Sequence, residues 1–415
     1  MDRKAVDLLT RRIDGYRDEV IRLQTELCKI PALGPENDGD GEEKKAEYLK
    51  SYLGTIGFDD IQQYDARDDR VASGRRPNLV ALLPGKLTSP RLWIMTHMDV
   101  VPPGDMSKWT GDPWVVRVDG DRLIGRGCED NQQGMVSSLL AAKAFHDVGL
   151  KPQLPYGLIL CADEETGNEY GVRYLLDEKK SLFKKEDLII IPDAGDSKGT
   201  MIEVAEKSLL WIRFHTIGKQ THGSTPEKGI NAHRAACYLA TRLETLYGKF
   251  RKSNPIFDPP ISTFEPTKRE ANVPNVNTIP GEDVLYFDCR ILPDYKLTSV
   301  MRAVKSVVTE TEKRYRVKIK VTYPQRETAA PPTPADAPVA RAIARAVREL
   351  RRRKPKPMGI GGGTVGKFFR DKGFYCAVWA TQDECAHTAD EYSRISATLD
   401  DAKVFAHVAL QSDHA

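Results

Sequence analysis

The chain has 415 residues, of which 40% are hydrophobic and 29% charged. This composition is that of a globular protein and excludes a disordered chain, and the length predicts two or three domains. The net charge of +3 gives no reason to expect a nucleic-acid partner. No segment approaches the roughly 20 apolar residues of a membrane span, and the polar start lacks the apolar core of a signal peptide. We therefore expect a cytosolic protein with no membrane partner.

The seven cysteines are scattered along the chain and form no C-x-x-C pair. An odd number without close pairs indicates reduced thiols, not a disulfide framework or a structural zinc module. Two of them, Cys128 and Cys385, stand beside candidate ligands described below. Packing is the favoured interpretation for both, and a response to oxidation is the alternative.

The first fifty residues predict helix, interrupted by a loop at 31–41. From residue 78 onward, short apolar runs alternate with amphipathic stretches, which is typical of an α/β sheet with buried strands. Apolar residues spaced i, i+3, i+4 from Met135 to Phe145 predict a helix that begins just after Asp130. The predicted buried strands are 92–95, 158–161, 188–191 and 374–380.

The pattern changes near residue 209 and predicts an inserted β-α-β-β-α-β unit of the ferredoxin-like type. The Pro-rich loop 324–338 is interpreted as the return linker. We therefore expect an inserted domain at 209–324, with 1–208 and 325–415 forming the other domain. The predicted elements of the insert are strand 209–217, helix 231–247, strands 261–264 and 284–292, helix 298–315 and strand 317–323.

One basic run, Arg351 to Lys354, follows a predicted helix. Cations at the C-terminal end of a helix interact favourably with its dipole and are usually solvated. A solvated helix end is the favoured interpretation, and an anion site is the alternative.

Polar residues directly follow each predicted buried strand, where ligands of open α/β sheets bind. They are His97 and Asp99 after 92–95, Glu164 and Glu165 after 158–161, Asp193 after 188–191, and His387 after 374–380. A glycine turn also places Asp130 at a helix start. A single strand-end histidine is usually structural, and Asp130 alone would be a good helix cap. Two histidines with several carboxylates in one crevice suit Zn²⁺, Co²⁺ or Mn²⁺.

At these positions the chain resembles the metallopeptidase family of acetylornithine deacetylase, succinyl-diaminopimelate desuccinylase, aminoacylase, carboxypeptidase G and the carnosine-type dipeptidases. The resemblance spans nearly the whole chain and implies a mixed-sheet α/β/α catalytic domain with an inserted ferredoxin-like α+β lid and dimerisation domain. The motifs, in chain order, are H-M-D-V-V-P at 97–102, G-R-G-C-E-D-N at 125–131, D-E-E-T-G at 163–167, P-D-A-G at 192–195, and His387.

The resemblance implies two divalent metal ions bridged by Asp130, with zinc preferred and cobalt or manganese as alternatives. It assigns His97 and Asp193 to one ion, and Glu165 and His387 to the other.

Two further carboxylates receive catalytic roles from the resemblance. Asp99 lies two residues past His97 on the same side of an extended chain, and it resembles the carboxylate that orients the imidazole. Glu164 resembles the family's general base. Two cations lower the pKa of a bridging water, Glu164 takes its proton, the hydroxide attacks an amide carbonyl, and Glu164 returns the proton to the leaving amine.

The insert carries a second signature, T-H-G-S-T-P at 221–226 followed by G-I-N-A at 229–232. It is similar to the loop whose histidine, in the family, enters the active site of the partner subunit. The resemblance therefore implies that His222 stabilises the oxyanion and that the protein is a homodimer through the insert.

Four positions match or suggest contacts to the substrate's carboxylate. Asn277 and Arg290 match family positions, and a guanidinium suits a carboxylate because it pairs bidentately. The alternative for Arg290 is an ion pair with Asp288 or Glu282. Backbone N–H groups of the glycine turn that ends in Gly363 and Thr364 could also meet a carboxylate, which is a weak signal by itself.

We expect a dinuclear metal-dependent amidohydrolase that cleaves a peptide or N-acyl amino acid bond next to a free carboxylate. The nearest alternative is a deacylase of a biosynthetic N-acetyl or N-succinyl amino acid. A non-catalytic metal-binding protein is disfavoured because the chain retains Glu164 together with five candidate ligands. No lysine in a phosphate-binding context supports a pyridoxal phosphate enzyme.

Two departures from the family limit the substrate assignment. Many deacylases carry Glu where this chain has Asp193, whereas dipeptidase and aminopeptidase members use Asp. Many members also place an acidic residue after the glycine turn, where this chain has V-G-K at 365–367. The sequence supports amide hydrolysis and leaves the acyl group open.

Overall fold

The structure, a computed structural model, describes residues 2–412. The chain forms two compact units, one of Met1–Val204, Pro332–Met358 and Thr364–Ala415, and one of Ala205–Pro331 with Gly359–Gly363. The predicted insert, 209–324, did not include Gly359–Gly363. This segment joins the second unit because the Gly359 N–H donates to Ile256 O at 2.7 Å. No helix within residues 2–412 is long and apolar enough to cross a membrane.

The chain forms eleven α-helices and seventeen strands within residues 2–412. The helices are α1 (Arg3–Asp14), α2 (Arg17–Cys28), α3 (Glu43–Thr55), α4 (Gln132–Asp147), α5 (Val172–Glu178), α6 (Ala232–Leu243), α7 (Thr245–Lys249), α8 (Leu297–Tyr315), α9 (Pro338–Arg351), α10 (Gly366–Asp371) and α11 (Ile395–Ala409). The strands are β1 (Ile61–Arg67), β2 (Arg75–Leu83), β3 (Leu92–His97), β4 (Arg117–Asp119), β5 (Arg122–Ile124), β6 (Tyr156–Cys161), β7 (Leu188–Asp196), β8 (Met201–Glu206), β9 (Ser208–Ile217), β10 (Thr221–His222), β11 (Thr263–Arg269), β12 (Thr278–Ile279), β13 (Glu282–Ile291), β14 (Lys318–Glu327), β15 (Lys356–Ile360), β16 (Cys376–Thr381) and β17 (Tyr392–Arg394).

The largest sheet has eight strands in the order β1-β2-β6-β3-β7-β16-β8-β15. Its centre is parallel, because β3 pairs with β6 and β7, and β7 pairs with β16. Strand β2 joins β6 antiparallel, so the sheet is mixed. The carboxyl ends of β3, β6, β7 and β16 therefore meet at one edge, where ligands of such sheets bind.

Helices cover both faces of this sheet. Trp93 and Met95 of β3 pack with apolar residues of β6, β7, β16, α5 and α10. The intervening side chains, such as Ile94, point to the opposite face, where α4 packs against β3, β6 and β7. Because both faces are covered, the central strands appear in the sequence as continuous apolar runs. The predicted α/β class with a mixed sheet is confirmed.

The second unit contains a four-stranded antiparallel sheet in the order β11-β13-β9-β14. Leu210, Ile212 and Phe214 of β9 alternate along the strand and are buried in one core with α6 and α8. Trp211, between them, is 42% exposed, as expected for a sheet covered on one face. The predicted β-α-β-β-α-β order of the insert is confirmed.

Several element bounds differ from the prediction. The helix predicted at 231–247 is two helices, α6 and α7, and the strand predicted at 261–264 is Thr263–Arg269. A two-stranded ladder of β10 and β12 was not predicted. Strands of two residues are too short to produce the alternation on which strand prediction depends.

Candidate metal centre

His97 ends strand β3 and its side chain is buried. Its Nδ1 lies 3.0 Å from the backbone O of Asp99 and 3.4 Å from Asp99 Oδ1. Because both oxygens are acceptors, the neutral ring carries its proton on Nδ1. The Nε2 lone pair is then free for a metal ion, which is the usual arrangement of a metal-binding histidine.

Asp130 lies between two imidazoles. Its Oδ1 is 3.0 Å from Nε2 of His97, and its Oδ2 is 3.0 Å from Nε2 of His387. Each carboxylate oxygen therefore has its own imidazole partner. A carboxylate that bridges two metal ions needs this division of its oxygens.

Three more carboxylates complete the group. Glu165 Oε2 lies 3.1 Å from His387 Nε2, and Asp193 Oδ1 lies 3.4 Å from His97 Nε2. Two sets of potential ligand atoms each lie within 4.8 Å of one another. These sets are His97, Asp130 and Glu165, and His97, Glu164 and Asp193. The His–carboxylate cluster is defined as His97, Asp130, Glu164, Glu165, Asp193 and His387.

The sequence predicted that Asp193 follows the strand at 188–191. In the structure it lies within that strand, β7. Ile191 pairs with Val378 of β16, and Gly195 pairs with Ala380, so β7 advances four residues while β16 advances two. The extra residues form a bulge that contains Asp193. Bulges re-aim side chains beside active sites, and here the bulge belongs to the edge where His97 lies.

The charge of the cluster fits bound cations. Its four carboxylates have no Lys or Arg side chain within 4.0 Å among residues 2–412. Burial and the nearby carboxylate of Asp193 raise the pKa of Glu164 well above its usual range. Hydrogen bonds that His387 donates to the carboxylates of Asp130 and Glu165 raise its pKa to about 10. Four carboxylate charges equal the charge of two divalent ions, and this donor set suits zinc, cobalt or manganese.

Asp99 connects two segments of the site. Its Oδ1 accepts the backbone N–H of Glu164 and its Oδ2 accepts that of Glu165, both at 3.0 Å. The same carboxylate contacts the His97 ring. The buried side chain of Asp99 therefore fixes the position of the imidazole relative to the two neighbouring glutamates.

Glu391 positions Asp130, a role that no sequence pattern indicated. Its Oε1 accepts the backbone N–H groups of Glu129 and Asp130 at 2.9 and 3.0 Å. Its other oxygen pairs with Arg126, and both side chains are buried. Only the folded chain brings these residues together, because no motif or periodicity links them.

Glu129 makes the reciprocal contacts to the C-terminal segment. Its Oε1 accepts the N–H of Asp383 and its Oε2 that of Cys385, both at 2.6 Å. Its place beside Asp130 in the sequence was the only signal for a role. Glu129 thereby holds the loop that carries His387, whose φ of +63° is strained for a non-glycine residue.

The two cysteines beside the cluster are packed. Cys128 is fully buried, and Cys385 donates its thiol to Tyr392 O at 3.1 Å. Burial raises the pKa of Cys385 to about 12, which suppresses the reactive thiolate. All seven cysteines are free. The structure therefore favours the packing interpretation for Cys128 and Cys385.

His222 and Asn277 lie together in the second unit. His222 pairs with Thr278 in the β10–β12 ladder, and the Gly223 N–H donates to Asn277 O at 2.7 Å. The His222 side chain is exposed. Its Nδ1 accepts the backbone N–H of Ser224 at 3.2 Å, so the neutral ring carries its proton on Nε2. His222 therefore presents an N–H donor to solvent.

Of the remaining predicted positions, Arg290 and Gly363 belong to the second unit and Thr364 belongs to the first. Arg290 forms the ion pair with Asp288 that was the alternative interpretation, at 2.7 and 2.8 Å, and donates to Gly361 O at 2.8 Å. Gly363 is exposed. Thr364 begins the last segment of the first unit, and its Oγ1 accepts the Gly366 N–H at 3.1 Å.

Comparison with known proteins identifies similar chains. An uncharacterized metallohydrolase of Methanocaldococcus jannaschii is 39% identical over 403 residues, which cover 94% of this chain and 98% of the relative. A succinyl-diaminopimelate desuccinylase of Pelagibacter ubique is 24% identical over 391 residues, covering 94% and 97%. The crystal structure of human carnosine dipeptidase 1 matches with a TM-score of 0.72 at 16% identity and covers 98% of each chain. This last likeness concerns the fold.

The family match covers most of the chain. Residues 93–411, which are 319 of the 415 residues, match peptidase family M20/M25/M40. A match of this extent, with a metallohydrolase 39% identical over nearly its full length, establishes that the chain belongs to peptidase family M20/M25/M40, a family of metallohydrolases.

Proposed function

We propose that the protein is a dinuclear metal-dependent amidohydrolase that cleaves a peptide or N-acyl amino acid bond next to a free carboxylate. The observation that carries the proposal is the position of Asp130, each of whose carboxylate oxygens lies 3.0 Å from Nε2 of a different histidine. A single structural histidine or a helix-capping aspartate would not require this symmetric arrangement.

The proposed ligands follow from these contacts. Asp130 would contribute a carboxylate oxygen to each of two ions, His97 and Asp193 would complete one site, and Glu165 and His387 would complete the other. Zinc is the proposed metal, with cobalt and manganese as alternatives. When bound, the ions supply Lewis acidity that polarises an amide carbonyl and lowers the pKa of water.

Glu164 is the proposed general base. It lies in one group with His97 and Asp193, and burial and the Asp193 carboxylate raise its pKa, as suits a group that accepts a proton. Glu164 removes a proton from the attacking water and returns it to the nitrogen of the leaving amine. Asp99 keeps Glu164 in place through the backbone N–H that it accepts.

His222 is the proposed oxyanion donor, acting in the active site of a partner subunit. Its exposed ring and its protonated Nε2 support this role, because a donor must face the developing negative charge. The proposed assembly is a homodimer through the second unit. The seven free cysteines agree with the proposed cytosolic location.

The proposed substrate contacts are Asn277, Arg290, Gly363 and Thr364. Arg290 would bind the carboxylate of a small peptide or N-acyl amino acid, and its present partner, Asp288, would then share the guanidinium. Peptides are the preferred substrate class because dipeptidase members of the family carry Asp at the position of Asp193. Deacylation of an N-acetyl or N-succinyl amino acid is the alternative, supported by the desuccinylase relative.

A screen of dipeptides and N-acyl amino acids with the metal-loaded protein tests the proposal. Glu164→Gln removes the base and keeps the shape of the side chain. We expect it to lose at least 100-fold in kcat while it retains metal, because proton transfer contributes about 10²- to 10⁴-fold. Glu169→Gln, an exposed glutamate of the same loop, is the matched control and should behave as the wild type.

Each result of the screen has a definite meaning. Cleavage of dipeptides alone supports the peptidase assignment, and cleavage of N-acyl amino acids alone supports the deacylase alternative. Metal binding without hydrolysis of either class would support a non-catalytic metal-binding protein. A normal rate for Glu164→Gln would contradict the mechanism.

A further inference from the structure

The first unit contains a polar cavity of about 270 Å³ to which no residue of the His–carboxylate cluster contributes. Residues from α1, the loop after β7, the end of α9, the end of β16 and the start of α11 line it. Its lining holds one carboxylate, Asp400, and five cationic side chains. These are Lys198, Arg351, Arg353, Arg394 and Lys403.

Three of the five cations have carboxylate partners. Arg351 pairs with Asp401 at 2.6 Å, and Arg394 pairs with Asp383 at 2.9 Å. Lys403 is the third, and its partners are Asp14 at 2.6 Å and Asp400 at 3.0 Å. Carboxylates therefore balance the charges of these three cations.

The other two cations, Lys198 and Arg353, have no carboxylate within ion-pair distance in the part of the chain that the structure describes. Arg353 donates to the backbone O of Lys198 at 3.1 Å. This bond keeps the two residues beside each other at the cavity. Two exposed cations without a carboxylate partner therefore share one polar cavity.

Several contacts hold Arg351, which lines the same cavity, in place. The side chain of Arg351 is only 9% exposed, and its guanidinium lies 5.2 Å from the centre of the Trp379 ring. It also donates to Thr381 Oγ1 at 2.6 Å. Gly199 has a φ of +61°, and a Cβ there would lie 2.3 Å from Arg351 Nη1 and 2.6 Å from Thr381 Oγ1, so a side chain at this position would displace these groups. The basic run is thus not simply a solvated helix end, because its first residue is packed inside.

We propose that this cavity binds a phosphate-type oxyanion through Lys198 and Arg353. A phosphate carries close to two negative charges at neutral pH, which match the two unpaired cations, whereas a carboxylate would leave one of them unpaired. Guanidinium and ammonium groups are the common protein ligands of phosphate. The cavity has room for roughly nine water molecules, more than a phosphate needs, so a phosphomonoester also fits.

Isothermal titration calorimetry with inorganic phosphate tests this proposal on the full-length protein, both loaded with metal and freed of it. We expect one phosphate site that persists without metal. Lys198→Gln and Arg353→Gln should each weaken its binding at least 10-fold. The matched control is Arg352→Gln, an exposed neighbour in the same run that does not line the cavity, and its Kd should stay within twofold of the wild type.

A second titration with glycerol 1-phosphate identifies the source of the phosphate group. Tighter binding than that of inorganic phosphate indicates a phosphorylated metabolite, and equal or weaker binding indicates the free ion. The proposal is overturned if all four proteins bind phosphate equally. It is also overturned if neither probe binds the wild type at millimolar concentration.

Discussion

Glu391 accepts the backbone N–H of Asp130 at 3.0 Å, although 261 positions separate the two residues in the chain. Asp130 is the carboxylate that lies between His97 and His387. The position of the central carboxylate therefore depends on a residue near the C-terminus. The buried partner of Glu391, Arg126, forms an ion pair with its other carboxylate oxygen and holds this acceptor in place.

Replacing Glu391 should weaken metal binding. We expect Glu391→Gln to lower the affinity for zinc about 10- to 100-fold, because residues that orient metal ligands have effects of this size. Competition with a chromogenic chelator measures the affinity. Glu384→Gln, an exposed glutamate in the same segment, should leave it unchanged. Unaltered zinc affinity in Glu391→Gln would show that Asp130 does not need this contact.

His222 should affect the transition state more than substrate binding. We expect His222→Ala to lower kcat about 10²- to 10³-fold, because an oxyanion donor acts mainly where charge develops. Steady-state kinetics on the substrate found in the screen provide both constants. His215→Ala, a histidine of the same unit paired with Glu282, is the control. A rise in KM with a constant kcat would make His222 a binding residue.

Metal removal should destabilise the protein. Without cations the four carboxylates of the His–carboxylate cluster repel one another, and a metal that binds only the folded state stabilises it by about 2.7 kcal/mol at 100 times its Kd. We expect the Tm to fall on dialysis against a chelator and to recover with zinc, cobalt or manganese. The recovery should be absent in a His97→Ala, His387→Ala double variant. A Tm that does not respond to metal in the wild type would argue against a metal centre here.

Lys45 should make stability depend on pH. Its side chain is buried, and its Nζ has no hydrogen-bond partner among residues 2–412. Burial lowers the pKa of Lys45 from 10.5 to about 8, and the ionisable groups around it, Cys28, Asp99, Glu42 and Cys128, oppose this shift only in part. Between pH 8 and 10.5 the folded state therefore binds fewer protons than the unfolded state, so stability rises with pH in this range.

The expected gain from this lysine is about 3 kcal/mol between pH 8 and 10.5. Urea unfolding of the metal-free protein at several pH values measures it. Lys45→Met should be more stable than the wild type at pH 7.5. Its stability should rise much less between pH 8 and 10.5. Lys44→Met, at an exposed neighbouring position, should keep the rise. The same pH slope in Lys45→Met and the wild type would mean that Lys45 titrates normally.

The sequence predicted the parts of the fold that have a local pattern. Strand β3 is buried on both faces, so its apolar run was visible, and His97 at its end followed from the topology of parallel sheets. The alternation of buried Leu210, Ile212 and Phe214 indicated strand β9 in the same way.

Features that depend on distant pairing were not visible. The bulge at Asp193 arises from the register between β7 and β16, which no local pattern encodes. Glu391 has no signal because its importance comes from contacts to residues about 260 positions earlier. Arg351 was predicted to be a solvated cation at a helix end, because its contact with the Trp379 ring is visible only in the folded structure.

The reciprocal contacts of Glu129 and Glu391 also bear on the biosynthesis of the protein. They join residues near position 130 to a segment that ends at residue 391. A chain still being translated therefore lacks the carboxylate that holds Asp130, and the imidazole of His387, until residue 391 has been synthesised. Domains fold as units during synthesis, but this one cannot complete its centre early. A nascent chain on the ribosome would therefore lack the assembled His–carboxylate cluster until that point.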